Sequence, residues 1–434
     1  MASILQVLKN NRNYRYTWMG QVVSEIGDHF NNIAVFSLVL ANTHSGLAVS
    51  GVMISRAVPA VLAGPIAGVL LDRLDRKKVM IASDLIRFVV ALGFLLTVDT
   101  GPTESLWLLY SLSAVLMFAS PFFTSGRAAI LPTITTREEL HTANSITQTT
   151  GWTTLTIGTF AAGAIVGKLG FKPAFLFNAL SFAFSALSIS RLRTESGSFR
   201  PAKKALTESD VARPWHEYVE GLRYMRASPL IFGIGLLGIG WASGGGAAQI
   251  LFSLFGELVF NRGAEGIGYI WGCAGIGLII GGAIGHRLGR TLSFNGYKRS
   301  VIVCYVIHGV SYVLFSQMQR FGPALFFIAL SRAAIAVTSV MNFSQLLRHV
   351  SDEYRGRVFS TVESMVWSTM MISMMVAGIT SQYYSPRTIG AWAGAISSLT
   401  AIFWAWAHYT GRLPEPKLEG IDPDEVEVHG EQTV

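Results

Sequence analysis

The stretch GVLLDRLDRKK at positions 68–78 shows where an apolar segment ends and a short charged turn begins. The residues at 47–71 are mostly apolar, and a second apolar run starts directly after the turn at about position 79. A run of about 20 apolar residues is long enough to cross the hydrocarbon layer of a membrane as a helix. The stretch therefore predicts two membrane-spanning helices joined by a basic turn.

The composition extends this prediction to the whole chain. Of the 434 residues 51% are hydrophobic and only 14% are charged, whereas about a quarter of the residues in a soluble domain are charged. The sequence predicts an all-α membrane protein with twelve transmembrane helices, at about 18–40, 47–71, 79–98, 105–126, 143–167, 171–190, 229–256, 266–286, 300–318, 322–347, 358–380 and 388–410.

The net charge of +8 reflects membrane topology rather than a nucleic-acid partner. With these spans, 25 of the 34 Lys and Arg residues fall on the side of the two termini, and 5 fall on the opposite side. Positively charged loops stay in the cytoplasm, so both termini are predicted to be cytoplasmic in a multi-pass protein of the inner or plasma membrane. The leader has no short apolar core followed by small residues, which argues against a cleaved signal peptide.

An internal repeat divides the chain into halves. The motif RLDR at 73–76 and the motif RLGR at 287–290 are separated by 214 positions, as are the acidic pairs at 138–139 and 352–353. Parallel repeats of six helices are one transporter architecture. We expect an N-terminal six-helix bundle at 1–190, a cytoplasmic linker at 191–228, a C-terminal six-helix bundle at 229–410 and a disordered cytoplasmic tail at 411–434. Residues 215–225 of the linker have the spacing of an amphipathic helix or of a plain linker helix.

The motif at 68–78 resembles the signature loop of the major facilitator superfamily, in the variant that ends Asp-Arg-x-Asp-Arg-Lys. Residues 24–28, 137–144 and 352–357 are similar to the branch that contains the enterobactin exporter and the macrolide efflux proteins. The resemblance implies two pseudo-symmetric bundles that transport a small molecule by alternating access, usually as a monomer. In one respect the chain departs from many antiporters of the superfamily, because the small residues at 158–167 include no proline.

The resemblance also implies a conformational latch at the turn after span 2. A carboxylate at Asp72 would cap the positively charged N-terminus of span 11 near Gly356, since helix N-termini favour anions. The contact would hold the outward-open state, with basic side chains fixing the carboxylate. The residues assigned to this latch are Gly68, Asp72, Arg73, Arg76 and Lys77.

Ionisable residues within the spans are candidates for coupling and substrate binding, because they are costly in a bilayer. Glu25 and Asp28 are three residues apart on one face of span 1, and a carboxylate at this depth suits proton binding and release. Proton coupling is predicted for Asp28, Glu25 and Glu363. The alternative to proton coupling is ion pairing. Glu363 would then pair with Arg332, and the acids of span 1 would pair with Arg56 or Arg127. The predicted substrate cavity contains Arg56, Arg127, Trp152 and Arg332.

The sequence hypothesis is proton-coupled efflux of an amphipathic small molecule, a drug or a siderophore. A lysolipid transporter or a nutrient importer of the same fold is an alternative, and a membrane receptor that transports nothing is a third interpretation. No Walker A motif, metal-ligand spacing or catalytic signature is present, so we expect no enzyme activity, cofactor or metal. The expected partners are a small-molecule substrate, the proton and the lipid bilayer.

Overall fold

The computed structural model describes residues 4–194, 198–200 and 214–416, and its regular elements are helical throughout these ranges. Fourteen α-helices follow one another in the described residues. Their bounds are α1 Ile4–Asn10, α2 Arg12–Thr43, α3 Gly46–Arg73, α4 Arg76–Gly93, α5 Pro102–Ile134, α6 Arg137–Leu169, α7 Phe171–Ser190, α8 Pro214–Ala227, α9 Pro229–Leu254, α10 Gly263–Thr291, α11 Phe294–Gln317, α12 Phe321–His349, α13 Asp352–Thr380 and α14 Pro386–Tyr409.

Twelve of these helices, α2–α7 and α9–α14, are the predicted spans. Ten of the twelve meet a strict criterion of length and hydropathy within the described residues. The other two, α2 and α6, are long enough but carry more polar side chains, including Glu25 and Asp28 in α2. Buried polar residues in membrane helices face the protein interior, and these two helices border the site described below.

The twelve helices form two bundles, as the sequence predicted. Helix α2 packs against α6 and α7, and α3 against α5, whereas α9 packs against α13 and α14, and α10 against α12. The two ends of the described chain, near residues 4 and 416, lie on the same side of the bundles, which we call the terminal face, because the number of spans is even. The all-α fold with two six-helix bundles is thus confirmed.

Small residues close the bundles against each other on the side away from the termini, the opposite face. A Cβ atom added to Gly268 in α10 would lie 2.5 Å from the Thr159 carbonyl oxygen and 2.7 Å from the Gly163 Cα in α6. Such distances leave no room for any side chain at Gly268. The proline-free segment at 158–167 therefore serves as a flat surface for close packing of α6 and α10.

Hydrogen bonds between the bundles reinforce this closure. The Ser50 hydroxyl of α3 donates to the Met374 carbonyl oxygen of α13 at 3.0 Å. Ser37 of α2 donates to a Glu257 carboxylate oxygen at 3.2 Å. Glu257 lies in a single π-helical turn that extends α9 at the opposite face. The contacts show that the opposite face is closed in this structure.

The turn between α3 and α4 forms hydrogen bonds with residues 198 and 199 of the linker. Asp75 caps α4 by accepting from the Lys78 amide at 3.1 Å. It also accepts from the Phe199 amide at 2.9 Å and from the Ser198 hydroxyl at 3.0 Å. Burial by itself would raise the pKa of the Asp75 carboxyl, but these hydrogen bonds outweigh it and place the pKa below its ordinary value.

We expect Asp75→Asn to release the linker start. A carboxyl whose pKa is lower in the folded than in the unfolded state adds stability above its unfolded pKa, and loses this contribution as the pH falls through the folded pKa. At pH 7 the contribution is fully present. Hydrogen exchange of the Phe199 amide at pH 7 should become faster in this variant by on the order of tenfold, since hydrogen bonds to charged groups contribute about 1.5–3 kcal/mol. Unchanged exchange, or an equal change in the neighbouring Lys78→Ala variant, would contradict the role of Asp75.

Helix α8 of the linker packs on the second bundle. Gly221 lies against the start of α13, where an added Cβ atom would be 2.8 Å from the Arg357 carbonyl oxygen. The Arg357 guanidinium forms an ion pair with Glu220 at 3.2 Å, and the rings of Tyr224 and Tyr354 stack. The predicted helix at 215–225 therefore exists and contacts α13.

The C-terminal segment begins as part of the second bundle. Leu413 is buried, and its carbonyl oxygen accepts from the Lys298 ammonium at 2.9 Å. The predicted tail thus starts with a packed residue. The remainder of that tail beyond residue 416 lies outside the described residues, as do linker residues 195–197 and 201–213.

Candidate functional site

A cavity lies between the two bundles and extends toward the terminal face. The first chamber has a volume of about 690 Å³ and is walled chiefly by α2, α3 and α13. The second has about 620 Å³ and reaches Leu346 and Phe359, near the terminal ends of α12 and α13. Sites for small molecules commonly have about 300–1,000 Å³. The chambers join, since both are lined by Leu155, Gln249, Trp271 and Glu363.

The walls of the cavity are mainly apolar and aromatic. Trp152, predicted for the substrate cavity, lines the second chamber, and Trp271 and Trp367 line the first. Met370 and Met374 of α13 add flexible side chains to the wall of the first chamber. Methionine and tryptophan side chains adapt to varied apolar ligands. The cavity thus offers an amphipathic surface with few polar groups.

Two predicted arginines line the cavity. The Arg56 guanidinium in the first chamber lies 5.9 Å from the centre of the Phe36 ring. The Arg332 guanidinium in the second chamber lies 5.0 Å from the centre of the Phe252 ring. Neither arginine forms an ion pair with an acid in the part of the chain that the structure describes. Each is therefore a positive charge without a bonded counter-charge.

Glu363 lies at the junction of the chambers. Its side chain is exposed to the cavity and lines both chambers. No ion pair joins it to Arg332 among the described residues, so the predicted pairing of these two groups does not occur in this structure. The cavity thus contains one carboxylate and two guanidinium groups that are not neutralised by direct contact.

Asp28 precedes His29, which lines the first chamber, but does not itself line it. It is half-buried, and it accepts no hydrogen bond from any residue in the described ranges. The charges of Arg87 and Arg56 attract its carboxylate, and those of Glu25 and Asp84 repel it. Binding of a proton at Asp28 would remove a negative charge that interacts with both guanidinium groups, and would so change the electrostatic balance beside the cavity.

Behind Asp28 lies a buried ion pair that the sequence analysis overlooked. Arg87 and Asp84 of α4 are almost fully buried and bonded to each other. The guanidinium lies between two rings, 4.7 Å from the centre of Phe123 and 4.4 Å from that of Phe182. A signal was present, because the two charges are three residues apart in an apolar run and therefore share a helix face.

Glu25 and Arg127 form an ion pair with each other. The Glu25 carboxylate accepts from Arg127 at 3.2 Å, from Gln21 at 2.8 Å and from the Thr154 hydroxyl at 2.8 Å. These contacts join α2, α5 and α6. Neither residue lines a chamber. The two were predicted for proton coupling and for the cavity, but in this structure they form a structural network.

We expect the Glu25–Arg127 pair to stabilise the first bundle. Glu25→Gln and Arg127→Gln should each lower the thermal stability by about 1–3 kcal/mol, because each leaves a partly buried charge unpaired. The double variant should lose less than the sum, which a double-mutant cycle of thermal unfolding in detergent measures. The exposed pair of Lys172 and Asp99 is the control, since such pairs contribute about 0–1 kcal/mol. Additive losses at Glu25 and Arg127 would show that the pair does not interact.

The proposed latch residues are separated from the second bundle in this structure. Asp72 and Arg73 are exposed at the terminal face, and a Cβ atom added to Gly68 would meet no atom within 4 Å. No ion pair joins Asp72 to Arg73 or Arg76 within the described residues. This arrangement agrees with a cavity that is open on the same face.

The remaining two residues of the predicted latch, both basic, hold the first bundle together. Arg76 donates to the Ala129 carbonyl oxygen of α5 at 2.8 Å. Lys77 donates to the Leu192 carbonyl oxygen, directly after α7, at 2.8 Å. Both side chains therefore fix the turn on its own bundle and leave Asp72 uncovered.

An apolar cavity between two six-helix bundles, closed on one face and open on the other, defines a membrane transporter. The chain belongs to the Major Facilitator Superfamily, whose family profile matches residues 17–295.

Relatives by sequence include transporters named for export. The proposed bacilysin exporter BacE of Bacillus subtilis is 24% identical over 371 residues, which cover 85% of this chain and 89% of the relative. Macrolide efflux protein A of Streptococcus pyogenes is 23% identical over 367 residues, which cover 83% and 87% of the two chains. The resemblance to the efflux branch is thus confirmed.

Solved structures agree on the fold. A bacterial homologue of the iron transporter ferroportin, solved in an inward-facing state, has a TM-score of 0.69 at 18% identity, over 91% of this chain and 98% of that one. A POT family transporter in complex with a thioalcohol-conjugated peptide has a TM-score of 0.75 at 9% identity, over 92% and 96% of the two chains. At these identities the likeness concerns the fold alone.

Proposed function

We propose that the chain is a proton-coupled exporter of an amphipathic small molecule. The observation that carries the proposal is Asp28, a half-buried carboxylate beside an apolar cavity that accepts no hydrogen bond from the described residues and interacts electrostatically with Arg87 and Arg56. The relatives named for bacilysin export and macrolide efflux support the direction of transport. The proposal places both termini in the cytoplasm of a bacterial inner membrane, as the excess of basic residues on the terminal face suggests.

The transport cycle alternates access to the cavity. In the proposed orientation the structure is inward-facing, so substrate enters from the cytoplasm. Rocking of the bundles would then bring Asp72 to the start of α13 as the latch and separate α6 from α10. Proton binding can bias this equilibrium only if the two states differ in their affinity for the proton. Asp28 supplies such a difference if its electrostatic interactions with Arg56 and Arg87 change as the bundles move.

Flux measurements in proteoliposomes test the proposal. Purified protein is presented with a panel of cationic dyes, macrolides and catecholate siderophores, with an imposed pH gradient or with the gradient collapsed by an ionophore. Movement of a panel compound against its gradient, driven by the proton gradient, is the expected result. Flux of the same rate with and without the pH gradient would contradict proton coupling. Movement of lysolipid between leaflets instead would favour the alternative of a lipid transporter.

A further inference from the structure

From the charges in the cavity we infer that the substrate carries both an acidic group and a basic amine on an apolar body. This inference deepens the proposed function, on which it rests. The cavity presents Arg56 from the first bundle and Glu363 from the second, and both line the same chamber. The carboxylate of the substrate binds Arg56, and its ammonium group binds Glu363.

Arg56 is available to an anion. Its guanidinium contacts the Met117 sulfur at 4.0 Å and the Phe36 ring at 5.9 Å, and neither contact neutralises its charge. A guanidinium group presents five donors in a planar fork that matches a carboxylate. Asp28 interacts electrostatically with Arg56 but forms no ion pair with it within the described residues. A substrate carboxylate would therefore supply hydrogen bonds that Arg56 lacks.

Glu363 is available to a cation. The side chain is exposed in the cavity and has no ion-pair partner among the described residues. Trp271 and Trp367 line the same chamber, and indole faces attract ammonium groups. An amine at this place would thus find one carboxylate and two aromatic rings.

The other residues that line the chamber determine the polarity of the substrate between its two charged groups. The wall of the same chamber includes Ile33, Met53, Leu155 and Met370, which favour apolar groups. Arg332 in the second chamber is less suited to the acidic group, since it is only 8% exposed and lies beside the Phe252 ring. Small apolar dipeptides have the required charges and body, and they serve as probes.

The positions of the two charges also connect substrate binding to the movement of the bundles. Because Arg56 and Glu363 belong to different bundles, a substrate bound to both also links the bundles, so that its binding favours one relative position over another.

Equilibrium dialysis with purified protein in lipid nanodiscs tests the inference at pH 6.5. The probes are tritiated leucyl-phenylalanine, its N-acetyl derivative and its C-terminal amide. We expect the zwitterion to bind at least about tenfold more tightly than either capped form, since a charge-assisted hydrogen bond contributes about 1.5–3 kcal/mol. The amide lacks the carboxylate that Arg56 would bind, so Arg56→Gln should bind the amide as well as the zwitterion but still discriminate against the N-acetyl form. The N-acetyl form lacks the ammonium group that Glu363 would bind, so Glu363→Gln should bind it as well as the zwitterion but still discriminate against the amide.

Two variants outside the cavity are the controls. Arg262→Gln removes an arginine that also lies over a phenylalanine ring, at 4.8 Å from Phe321, but at the opposite face. Glu104→Gln removes an exposed acid from the first turn of α5. Both should retain the full preference for the zwitterion.

The outcomes separate this inference from the proposed function. Equal binding of all three probes, or loss of discrimination in the control variants, would overturn the zwitterion site even if gradient-driven flux of a dye is found. A preference that Arg56→Gln leaves intact would also overturn it. Selective binding of the zwitterion without any gradient-driven flux would support the site and reject proton-coupled export.

Discussion

Asp28→Asn is expected to abolish accumulation driven by a pH gradient while leaving exchange without a gradient in place. Asparagine has nearly the shape of aspartate but cannot bind and release a proton at neutral pH. The variant therefore has a neutral side chain at this position, which no longer compensates the charges of Arg56 and Arg87. Folding should survive, because Asp28 accepts no hydrogen bond from the described residues that the change could break.

The size of the effect follows from the driving force. A gradient of one pH unit corresponds to about 1.4 kcal/mol per proton and supports roughly tenfold accumulation of an exchanged compound. In proteoliposomes the accumulation ratio should fall from this value to about one in Asp28→Asn, for any panel compound that the wild type moves. Asp99→Asn is the matched control, since Asp99 is an exposed acid between α4 and α5. A variant that still accumulates substrate would exclude Asp28 as the proton carrier and leave Glu363 as the candidate.

Gly268→Leu is expected to prevent closure of the opposite face. The added Cβ atom would lie 2.5 Å from the Thr159 carbonyl oxygen and 2.7 Å from the Gly163 Cα, and backbone atoms cannot move aside as a flexible side chain can. Because α6 and α10 belong to different bundles, the clash is relieved only if the bundles separate at this face. The equilibrium should therefore shift toward a state that is open there and closed at the terminal face.

Accessibility of Ser37 measures the shift. Ser37 is buried in the closed structure, where it donates to Glu257 across the bundles. In the variant Ser37→Cys, reaction with a membrane-impermeant thiol reagent added at the opposite face should be slow. Adding Gly268→Leu should accelerate it by on the order of tenfold or more, as a population shift of about 1.4 kcal/mol gives tenfold.

The matched control is Gly322→Leu. Gly322 is in the first turn of α12 at the same face, but an added Cβ atom would meet nothing within 4 Å. This variant should leave the reaction rate of the cysteine unchanged. If Gly268→Leu also left it unchanged, the contact between α6 and α10 would not control opening.

The sequence by itself was sufficient for the fold. Apolar runs of the length of a bilayer, the motif at 68–78 and its repeat 214 positions later predicted twelve helices in two bundles. Such patterns are reliable because a helix in lipid must satisfy its own backbone hydrogen bonds, so that local composition determines each span. Arg56, Trp152 and Arg332 line the chambers for a related reason, since costly polar or large side chains are placed in the interior, and their role in binding substrate stays a prediction.

Only the tertiary structure determined which charged side chains bind a partner within the described residues and which do not. Glu25 and Asp28 are three residues apart on one helix and have the same chemistry, yet Arg127 binds the former, whereas the latter accepts no hydrogen bond from the residues that the structure describes. Likewise, of the two aspartates in one turn, Asp75 holds the linker and Asp72 remains exposed. The partners come from residues distant in the chain, and their approach depends on helix packing and on the relative position of the bundles. A one-dimensional pattern therefore identifies the costly charges, and only the packed structure shows what each one meets.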